Sequence, residues 1–465
     1  MRRSTILLYK INILNEKNTC QLEELVKIFL RPDQYEITRE LEGSDLIRIN
    51  ESGSSDWKQV GREIYDKLSA MTGKRPEWGI LTGIRPVKLC GELLDSLGSE
   101  EKVLETFTRN YYLSKEKAEL ILRICLYQRR ILEPARADSA GIYIGIPFCP
   151  TRCVYCSFAS NQVSEEEIER YLKALHREIE YVGRRMRETG IKAESIYIGG
   201  GTPTTLDARQ LSSLMEEIGV SFDLSEVREF TVEAGRPDTI TEEKLRAIRN
   251  GGADRISINP QTMKQRTLDL IGRKHSVEAV NQAFSAAEKV GFSAVNADII
   301  AGLPEENSED FRRTLRQVLA LSPENITVHC LAVKRASRLI DIDPDFHYRQ
   351  AEIVAEMLQD SRAMMERAGY APYYLYRQKH MAGAYENTGY SKPEKECIYN
   401  IRIMDEHQTI VALGAGGISK VYFPSENRLE RVPNVTNYQQ YIERIDEMLE
   451  RKEKGLFTEV KKWQS

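Results

Sequence analysis

The chain has 465 residues, of which 41% are hydrophobic and 29% charged, and its formal net charge is -4. A chain of this length buries large cores in several domains without disulfides, and its nearly balanced charge argues against a nucleic acid as the main partner. No run of 18 apolar residues occurs, so we expect no membrane span.

Residues 1–135 are predicted to form an α+β domain. Within it, WGILTGIRPVKL (78–89) is interpreted as a packed turn, with a substrate lid or a docking site as alternatives. EPARADSA (133–140) follows as a linker. Periodicity predicts strands at 5–13 and 44–50 and helices at 20–30, 56–72 and 99–133.

Residues 136–340 show a different pattern, in which short apolar strands alternate with amphipathic helices such as 164–188 and 276–291. This alternation predicts a parallel α/β sheet, open or curled into a partial barrel, with ligands at the carboxyl ends of its strands. The predicted strands are 141–146, 195–199, 228–234, 254–259, 294–300 and 325–331.

Residues 341–465 are predicted to form a smaller α+β region. It opens on a long helix (346–368) and closes on an amphipathic helix (437–454). Between them, APYYLYRQ, IYNIRIM and TIVALGAGG are each predicted to contain a strand.

Cys149, Cys153 and Cys156 form a C-x3-C-x2-C motif directly after the first strand of the central region. Three thiolates on one loop can hold three irons of a four-iron cluster and leave the fourth iron open. A structural zinc site needs four ligands, and Phe158 stands where a further cysteine would be expected. A zinc site completed by a distant His or Cys, or three ordinary buried cysteines, are the alternatives. The clustering also favours a cytoplasmic protein over a secreted disulfide framework.

Polar and glycine residues follow the next strands. A run of three glycines ends the second strand, and its amides are expected to face an anionic group, a tight turn being the alternative. Each polar residue taken alone fits a solvated or salt-bridged strand end, whereas together they predict a polar pocket. They are Glu233, Gln261, Arg273 and Asp298.

Taken together, these motifs resemble the radical S-adenosylmethionine (SAM) superfamily, and within it the oxygen-independent coproporphyrinogen III oxidase group. The resemblance is carried by YIGIPFCPTRCVYCSF, GGGTPT, TVEAGRPD, INPQTM, IGRKHS and NADIIAGLP, in that order. It implies a partial (βα)6 barrel, a [4Fe-4S] cluster bound by the three cysteines, and one or two SAM molecules.

The same resemblance implies a role for each site residue. Gly200 and Gly201 would contact the amino acid part of SAM, Thr202 beside them would also bind the cofactor, and Glu233 would bind its ribose. Gln261, Arg273 and Asp298 would complete the SAM environment. Tyr143 would lie beside the cluster and Tyr155 against the adenine, and both are the catalytic candidates. A second SAM would lie near Gln378 and ALGAGGIS (412–419).

In the family, one electron cleaves SAM to methionine and a radical that removes hydrogen from a substrate propionate, which then loses CO2 and one electron and becomes a vinyl group. The implied partners are a tetrapyrrole and an external one-electron donor of the flavodoxin or ferredoxin type. Candidate cations for the substrate carboxylates are Arg377, Lys379, Lys334, Arg335 and Arg338.

Phe158, shared with haem-chaperone relatives, keeps two other functions open. One is a chaperone that delivers haem to partner proteins, for which His329 and His380 would be the axial candidates. The other is a radical methyltransferase that opens haem itself. The remaining cysteines are expected to be ordinary buried residues. They are Cys20, Cys90, Cys125, Cys330 and Cys397.

Overall fold

The computed structural model describes residues 9–14, 19–38, 46–51, 53–83, 85–158, 160–333, 338–339, 343, 346, 350–378, 381–458 and 460. Among the described helices, none is both long and apolar enough to cross a lipid bilayer.

The N-terminal part pairs a small parallel sheet with five helices. Its strands, in the order β2-β1-β3, are β1 (Tyr9–Ile13), β2 (Tyr35–Ile37) and β3 (Leu46–Ile49). The helices are α1 (Thr19–Phe29), α2 (Trp57–Thr72), α3 (Pro86–Leu97), α4 (Glu100–Glu105) and α5 (Lys115–Ile131). The continuous helix expected over 99–133 is therefore interrupted, by a wide turn at Thr106–Asn110. Helix α3 was not predicted, although Pro86 occupies its first turn, where the missing N–H costs no hydrogen bond.

Six parallel strands form the central sheet, and all six were predicted. Apolar residues alternate along them with polar residues, glycine and tyrosine, so one face of the sheet packs into the main apolar core and the other carries residues such as Tyr143, Glu233 and Asp298. The strands are β4 (Ser139–Ile146), β5 (Lys192–Gly200), β6 (Glu229–Glu233), β7 (Arg255–Ser257), β8 (Ala294–Ala301) and β9 (Asn325–Cys330). The helices between them are α6 (Glu165–Thr189), α7 (Ala208–Ser221), α8 (Glu242–Asn250), α9 (Gln265–Leu270), α10 (Val277–Val290) and α11 (Ser308–Ala320).

The C-terminal residues extend both edges of this sheet. After α12 (Ala351–Arg367), strands β10 (Ala371–Arg377) and β11 (Glu386–Ser391) continue it beyond β9. Beyond β4 it is continued by β12 (Thr409–Leu413), β13 (Ile418–Phe423) and β14 (Arg428–Pro433). The result is one eleven-stranded sheet, in the order β10-β11-β9-β8-β7-β6-β5-β4-β12-β13-β14. No hydrogen bonds join its two ends among the described residues, so the sheet does not close into a barrel.

Two elements of the C-terminal region differ from those predicted from the sequence. IYNIRIM was expected to be a strand but forms α13 (Ile398–Asp405). The carboxylate of Glu229 accepts hydrogen bonds from the first two N–H groups of this helix, including that of Ile398 at 2.7 Å, and such capping favours a helix. The final helix is divided at Arg444 into α14 (Tyr438–Glu443) and α15 (Ile445–Lys452).

Candidate active site

The predicted site residues lie at the carboxyl ends of neighbouring parallel strands. The cysteine loop follows β4, the glycine run ends β5, and Glu233 ends β6. Gln261 follows β7, and its backbone N–H donates to the carbonyl of Asp298 on β8 at 2.9 Å. Ligands of parallel α/β sheets bind at this edge, so the fold brings these residues to one place.

Backbone hydrogen bonds hold the cysteine loop. The N–H of Cys149 donates to Asn161 O (3.1 Å), and the N–H of Val154 donates to Ile271 O (3.0 Å). Among the residues that the structure describes, no three His, Cys, Asp or Glu side chains gather around a point that would suit a metal ion. A four-iron cluster binds each thiolate at a different iron and so separates the sulfurs more widely than one ion does.

Each of the three sulfurs has a polar neighbour. Thr202 Oγ1 lies 3.4 Å from the sulfur of Cys149, and Ser160 Oγ lies 3.7 Å from that of Cys156. A guanidinium nitrogen of Arg236 donates to the sulfur of Cys153 at 3.6 Å. Donors of this kind stabilise sulfur that carries negative charge, as thiolate ligands of iron do. Arg236 was not predicted as a site residue.

The glycine run is shaped by the neighbouring strand. A Cβ on Gly201 would lie 2.5 Å from the carbonyl oxygen of Phe148, and Gly200 has φ +113°, which favours glycine. The N–H groups of Gly201 and Thr202 donate to the carbonyls of Ile146 and Phe148, each at 2.7 Å. These two amides are therefore committed to the backbone, whereas the N–H of Gly200 donates to the carboxylate of Glu233. That the glycine run faces an anionic ligand stays a prediction.

Glu233 occupies an environment that disfavours its charge. Burial raises its pKa to about 7, and the nearby carboxylate of Asp298 acts in the same direction. The hydroxyl of Tyr197 donates to Glu233 Oε1 at 2.6 Å and opposes the shift. At neutral pH both the ionised and the protonated form of the side chain are therefore populated. It can accept a hydrogen bond from a ligand hydroxyl or donate one to it.

Three stacked tyrosines line the same region. Ring centroids of Tyr197 and Tyr399 lie 4.5 Å apart, and Tyr143 stacks on this pair at 6.3 and 6.4 Å. Burial raises the pKa of all three phenols. They therefore remain neutral donors. The sequence offered a signal for Tyr197, because IYIG occurs at both 142–145 and 196–199 and the two tyrosines are paired in register.

Asp298 belongs to a polar chain that crosses to the edge of the sheet. Asn296 Nδ2 donates to it at 2.8 Å, and His329 Nε2 lies 3.5 Å away. Burial alone would raise the pKa of Asp298, but these partners outweigh it and lower that pKa. His329 Nδ1 lies 3.2 Å from the hydroxyl of Tyr376, to which Gln378 donates at 3.3 Å. Tyr376 was not predicted.

Arg273 and Gln261 leave polar atoms without protein partners. Arg273 donates to the carbonyls of Gly235 and Asn259 and is hydrogen-bonded to Tyr155. Its Nε and the Oε1 of Gln261 are buried and have no hydrogen-bond partner in the described part of the chain. Buried polar atoms without partners are rare, so these two suit a polar ligand.

Of the five candidate cations for the substrate carboxylates, two lie in the described part of the chain. Arg377 is buried, donates to the carbonyls of Leu81 and Ala384, and lies 4.5 Å above the ring of Trp78. It is therefore occupied in packing the N-terminal part against β10. Of the segment 78–89, interpreted as a packed turn, the last four residues instead begin helix α3. Arg338 is exposed. The positions outside the described residues are Lys334, Arg335, Lys379 and His380.

Four of the remaining cysteines are buried and free, as expected: Cys90, Cys125, Cys330 and Cys397. The side chain of Cys20 lies outside the described part of the chain. Phe158, by contrast, has 66% of its surface exposed.

Comparison with known proteins gives a consistent result. Residues 143–318 match the radical SAM superfamily. The oxygen-independent coproporphyrinogen-III oxidase-like protein HemZ of Bacillus subtilis (strain 168) is 41% identical over 409 residues, which cover 86% of this chain and 82% of HemZ. The heme chaperone HemW of the same strain is 30% identical over 59% of this chain and 69% of HemW.

Among solved structures, the coproporphyrinogen III oxidase HemN from Escherichia coli, a radical SAM enzyme, matches with a TM-score of 0.53 and 24% identity. The match covers 70% of this chain and 73% of HemN, and it supports the fold. Membership of the superfamily implies a [4Fe-4S] cluster and SAM. The chain belongs to the radical SAM superfamily and, within it, to the family of the oxygen-independent coproporphyrinogen-III oxidase-like protein HemZ.

Proposed function

We propose that this protein is an oxygen-independent coproporphyrinogen III dehydrogenase, which converts two propionates of coproporphyrinogen III to vinyl groups and yields protoporphyrinogen IX. One observation carries the proposal. A three-cysteine loop and a set of partly unpaired polar side chains share the carboxyl edge of the sheet, in a chain that aligns with 82% of HemZ.

The residues divide into cluster ligands and SAM ligands. Cys149, Cys153 and Cys156 would hold the cluster. The bound cluster and SAM would supply the one-electron chemistry and the hydrogen abstraction, as cofactors do in such enzymes. Residues that would bind SAM are Gly200, Gly201, Thr202, Glu233, Gln261, Arg273 and Asp298, with Tyr143 and Tyr155 packed beside them. A second SAM would lie near Gln378 and the 412–419 segment.

The protein's own contribution is orientation and control of charge. Tyr197 holds the Glu233 carboxyl at 2.6 Å, so that it meets the ribose hydroxyls in a fixed direction. Asn296 and His329 hold Asp298 in the same way. Because the surrounding tyrosines stay neutral, the pocket presents donors without adding charge beside a cationic sulfonium. Fixed dipoles of this kind replace water around a reactive ligand.

A haem chaperone is the second candidate. It is favoured by the 30% identity with HemW and by the exposed Phe158, where decarboxylating relatives carry a further cysteine. The tetrapyrrole would then be cargo rather than substrate. Both candidates keep the cluster loop, so the cluster alone does not distinguish them.

Turnover distinguishes the candidates directly. The cluster is reconstituted without oxygen, and SAM, dithionite and coproporphyrinogen III are added, with a reaction lacking SAM as control. Formation of protoporphyrinogen IX together with methionine, only when SAM is present, is the expected result. In a parallel sample that receives haem in place of coproporphyrinogen III, stoichiometric haem binding without turnover would favour the chaperone. Loss of the haem absorption bands with consumption of SAM would favour a haem-opening methyltransferase.

A further inference from the structure

Arg236 is a buried arginine that follows β6 by three residues and contacts the cysteine loop. Its exposed fraction is only 3%. Nε and Nη2 donate to the two carboxylate oxygens of Asp238, at 2.9 and 2.8 Å. Nη1 donates to Thr151 Oγ1 at 2.9 Å and to the sulfur of Cys153 at 3.6 Å. One guanidinium therefore joins the loop after β6 to the loop that carries the cysteines.

The two hydrogen bonds from Nε and Nη2 to the Asp238 carboxylate form a bidentate fork, and this fork fixes the direction of the remaining nitrogen, Nη1. A bidentate arginine–carboxylate pair has little rotational freedom, so Nη1 can point only toward Thr151 and Cys153. Burial would raise the pKa of Asp238, but Arg236 outweighs it and lowers that pKa. The carboxylate therefore stays ionised and the fork persists. The sulfur of Cys153 meets an N–H group directly, whereas the compensating carboxylate lies on the far side of the guanidinium.

Arg236 and Arg273 differ in whether all of their side-chain nitrogens have hydrogen-bond partners in the protein. Arg273 has a buried Nε without a partner in the described structure, which suits a ligand. Each of the three nitrogens of Arg236 already donates to the protein. Arg236 is therefore committed to the cysteine loop rather than to SAM.

We propose that Arg236 is a positioning residue that donates a hydrogen bond to the Cys153 thiolate and thereby raises the reduction potential of the cluster. Hydrogen bonds to ligand sulfurs stabilise the more negative, reduced state and are one of the means by which proteins set cluster potentials. This inference rests on the ligation of the cluster by Cys153, which is part of the proposed function. It does not depend on which tetrapyrrole binds.

The test is a redox titration of the reconstituted protein, followed by electron paramagnetic resonance and carried out without a tetrapyrrole. We expect Arg236→Gln to make reduction about tenfold less favourable, a shift of about 59 mV to more negative potential for a one-electron couple. Arg236→Lys keeps the charge but loses the fork, so its potential should lie between those of Arg236→Gln and the unchanged protein. Arg246→Gln, on the exposed face of α8 and paired with Glu242, is the control and should leave the potential unchanged.

A second measurement separates a hydrogen bond from a general loss of order. In pulsed spectra of the reduced cluster, exchange into D2O should remove a coupled proton from the unchanged protein. The same signal should be missing in Arg236→Gln. Equal potentials and equal proton couplings in the two proteins, at equal iron content, would overturn the proposal. If Arg236→Gln takes up no iron, Arg236→Lys decides, and an unshifted potential in that variant contradicts the proposal. Iron loss in Cys153→Ala checks the ligand assignment separately.

Discussion

At the scale of single residues, the site separates the pKa values of two carboxyl groups. Burial and Asp298 raise the pKa of Glu233 to about 7, whereas His329 and Asn296 lower that of Asp298 despite its burial. Carboxyl groups whose environments push their pKa values apart take different roles. At neutral pH, Asp298 is the fixed charge and Glu233 is the group that changes its protonation.

Glu233 should therefore make stability depend on pH. Its pKa in the folded protein lies above its ordinary value of 4.5, so its neutral form favours folding. That contribution is complete below pH 4.5 and is lost as the pH rises through about 7. At pH 8 the ionised side chain costs up to about 3 kcal/mol. Glu233→Gln is always neutral, so its stability advantage over the unchanged protein should grow between pH 5 and pH 8. Thermal unfolding of the apoprotein at the two pH values measures this, and an advantage that does not change with pH would contradict it.

Gly201 is the second single-residue test. Gly201→Ala places a Cβ 2.5 Å from the carbonyl oxygen of Phe148, so the strand end or the cysteine loop must move. We expect a loss of iron after reconstitution and SAM binding at least tenfold weaker, measured by calorimetry. Gly219→Ala is the control, because its Cβ meets nothing within 4 Å on helix α7, where alanine is the better helix former. Equal iron content and equal SAM affinity in the two variants would refute the assigned role of Gly201.

At the scale of elements, helices and strands could be predicted from the sequence where the residues that decide them lie within the element or next to it along the chain. The six central strands and their helices follow from runs of apolar residues between turn residues. Helix α13 could not be predicted, because its start depends on Glu229, about 170 residues away in sequence. Arg236 was missed for the same reason: its carboxylate partner is two residues away, but its sulfur partner is on another loop.

The last helix is held by a buried ion pair. Lys452 Nζ lies 2.6 Å from Glu178, and both side chains are fully buried. Glu178 also accepts hydrogen bonds from the N–H of Gly414, from Asn434 and from Tyr441. The network thus joins α6 and α15 to the glycine-rich loop that follows β12.

Removing the lysine should expose the cost of that buried charge. We expect Lys452→Met to lower the free energy of unfolding by about 3–5 kcal/mol, because Glu178 is left buried without a cation. Lys454→Met is the matched control: its side chain is 74% exposed and pairs with Glu450 one turn away, so it should change stability by less than about 1 kcal/mol. Urea unfolding measures both variants. Similar losses in both would show that the buried pair has no special role.

At the scale of the whole molecule, the N-terminal part is fastened to the edge of the large sheet. Glu386 on β11 accepts hydrogen bonds from Trp78 Nε1 (2.9 Å) and Lys117 Nζ (2.6 Å). Leu375 on β10 belongs to the same apolar core as α1–α5. Because β10 also carries Tyr376, the N-terminal part supports the strand that completes the polar chain from Asp298.

Loss of the charge on Glu386 should loosen this junction. Glu386→Gln leaves the buried Lys117 with only the half-exposed Glu77 as its counter-charge, at 3.4 Å, so we expect a loss of up to about 3 kcal/mol and faster proteolysis near residues 133–140. Glu430→Gln on the edge strand β14, where the side chain is 51% exposed, serves as the control. Cleavage at equal rates in the two variants would contradict the proposed junction.

The proposed function requires the loop of three cysteines to hold a four-iron cluster with an open iron for SAM. Iron and acid-labile sulfide analysis after anaerobic reconstitution tests this, comparing the unchanged protein with Cys153→Ala and with Cys330→Ala. Cys330 is buried on β9 and takes no part in the loop. We predict about four irons and four sulfides per chain in the unchanged protein and in Cys330→Ala, with loss of the cluster in Cys153→Ala. An undiminished cluster in Cys153→Ala would contradict the ligand assignment and the function built on it.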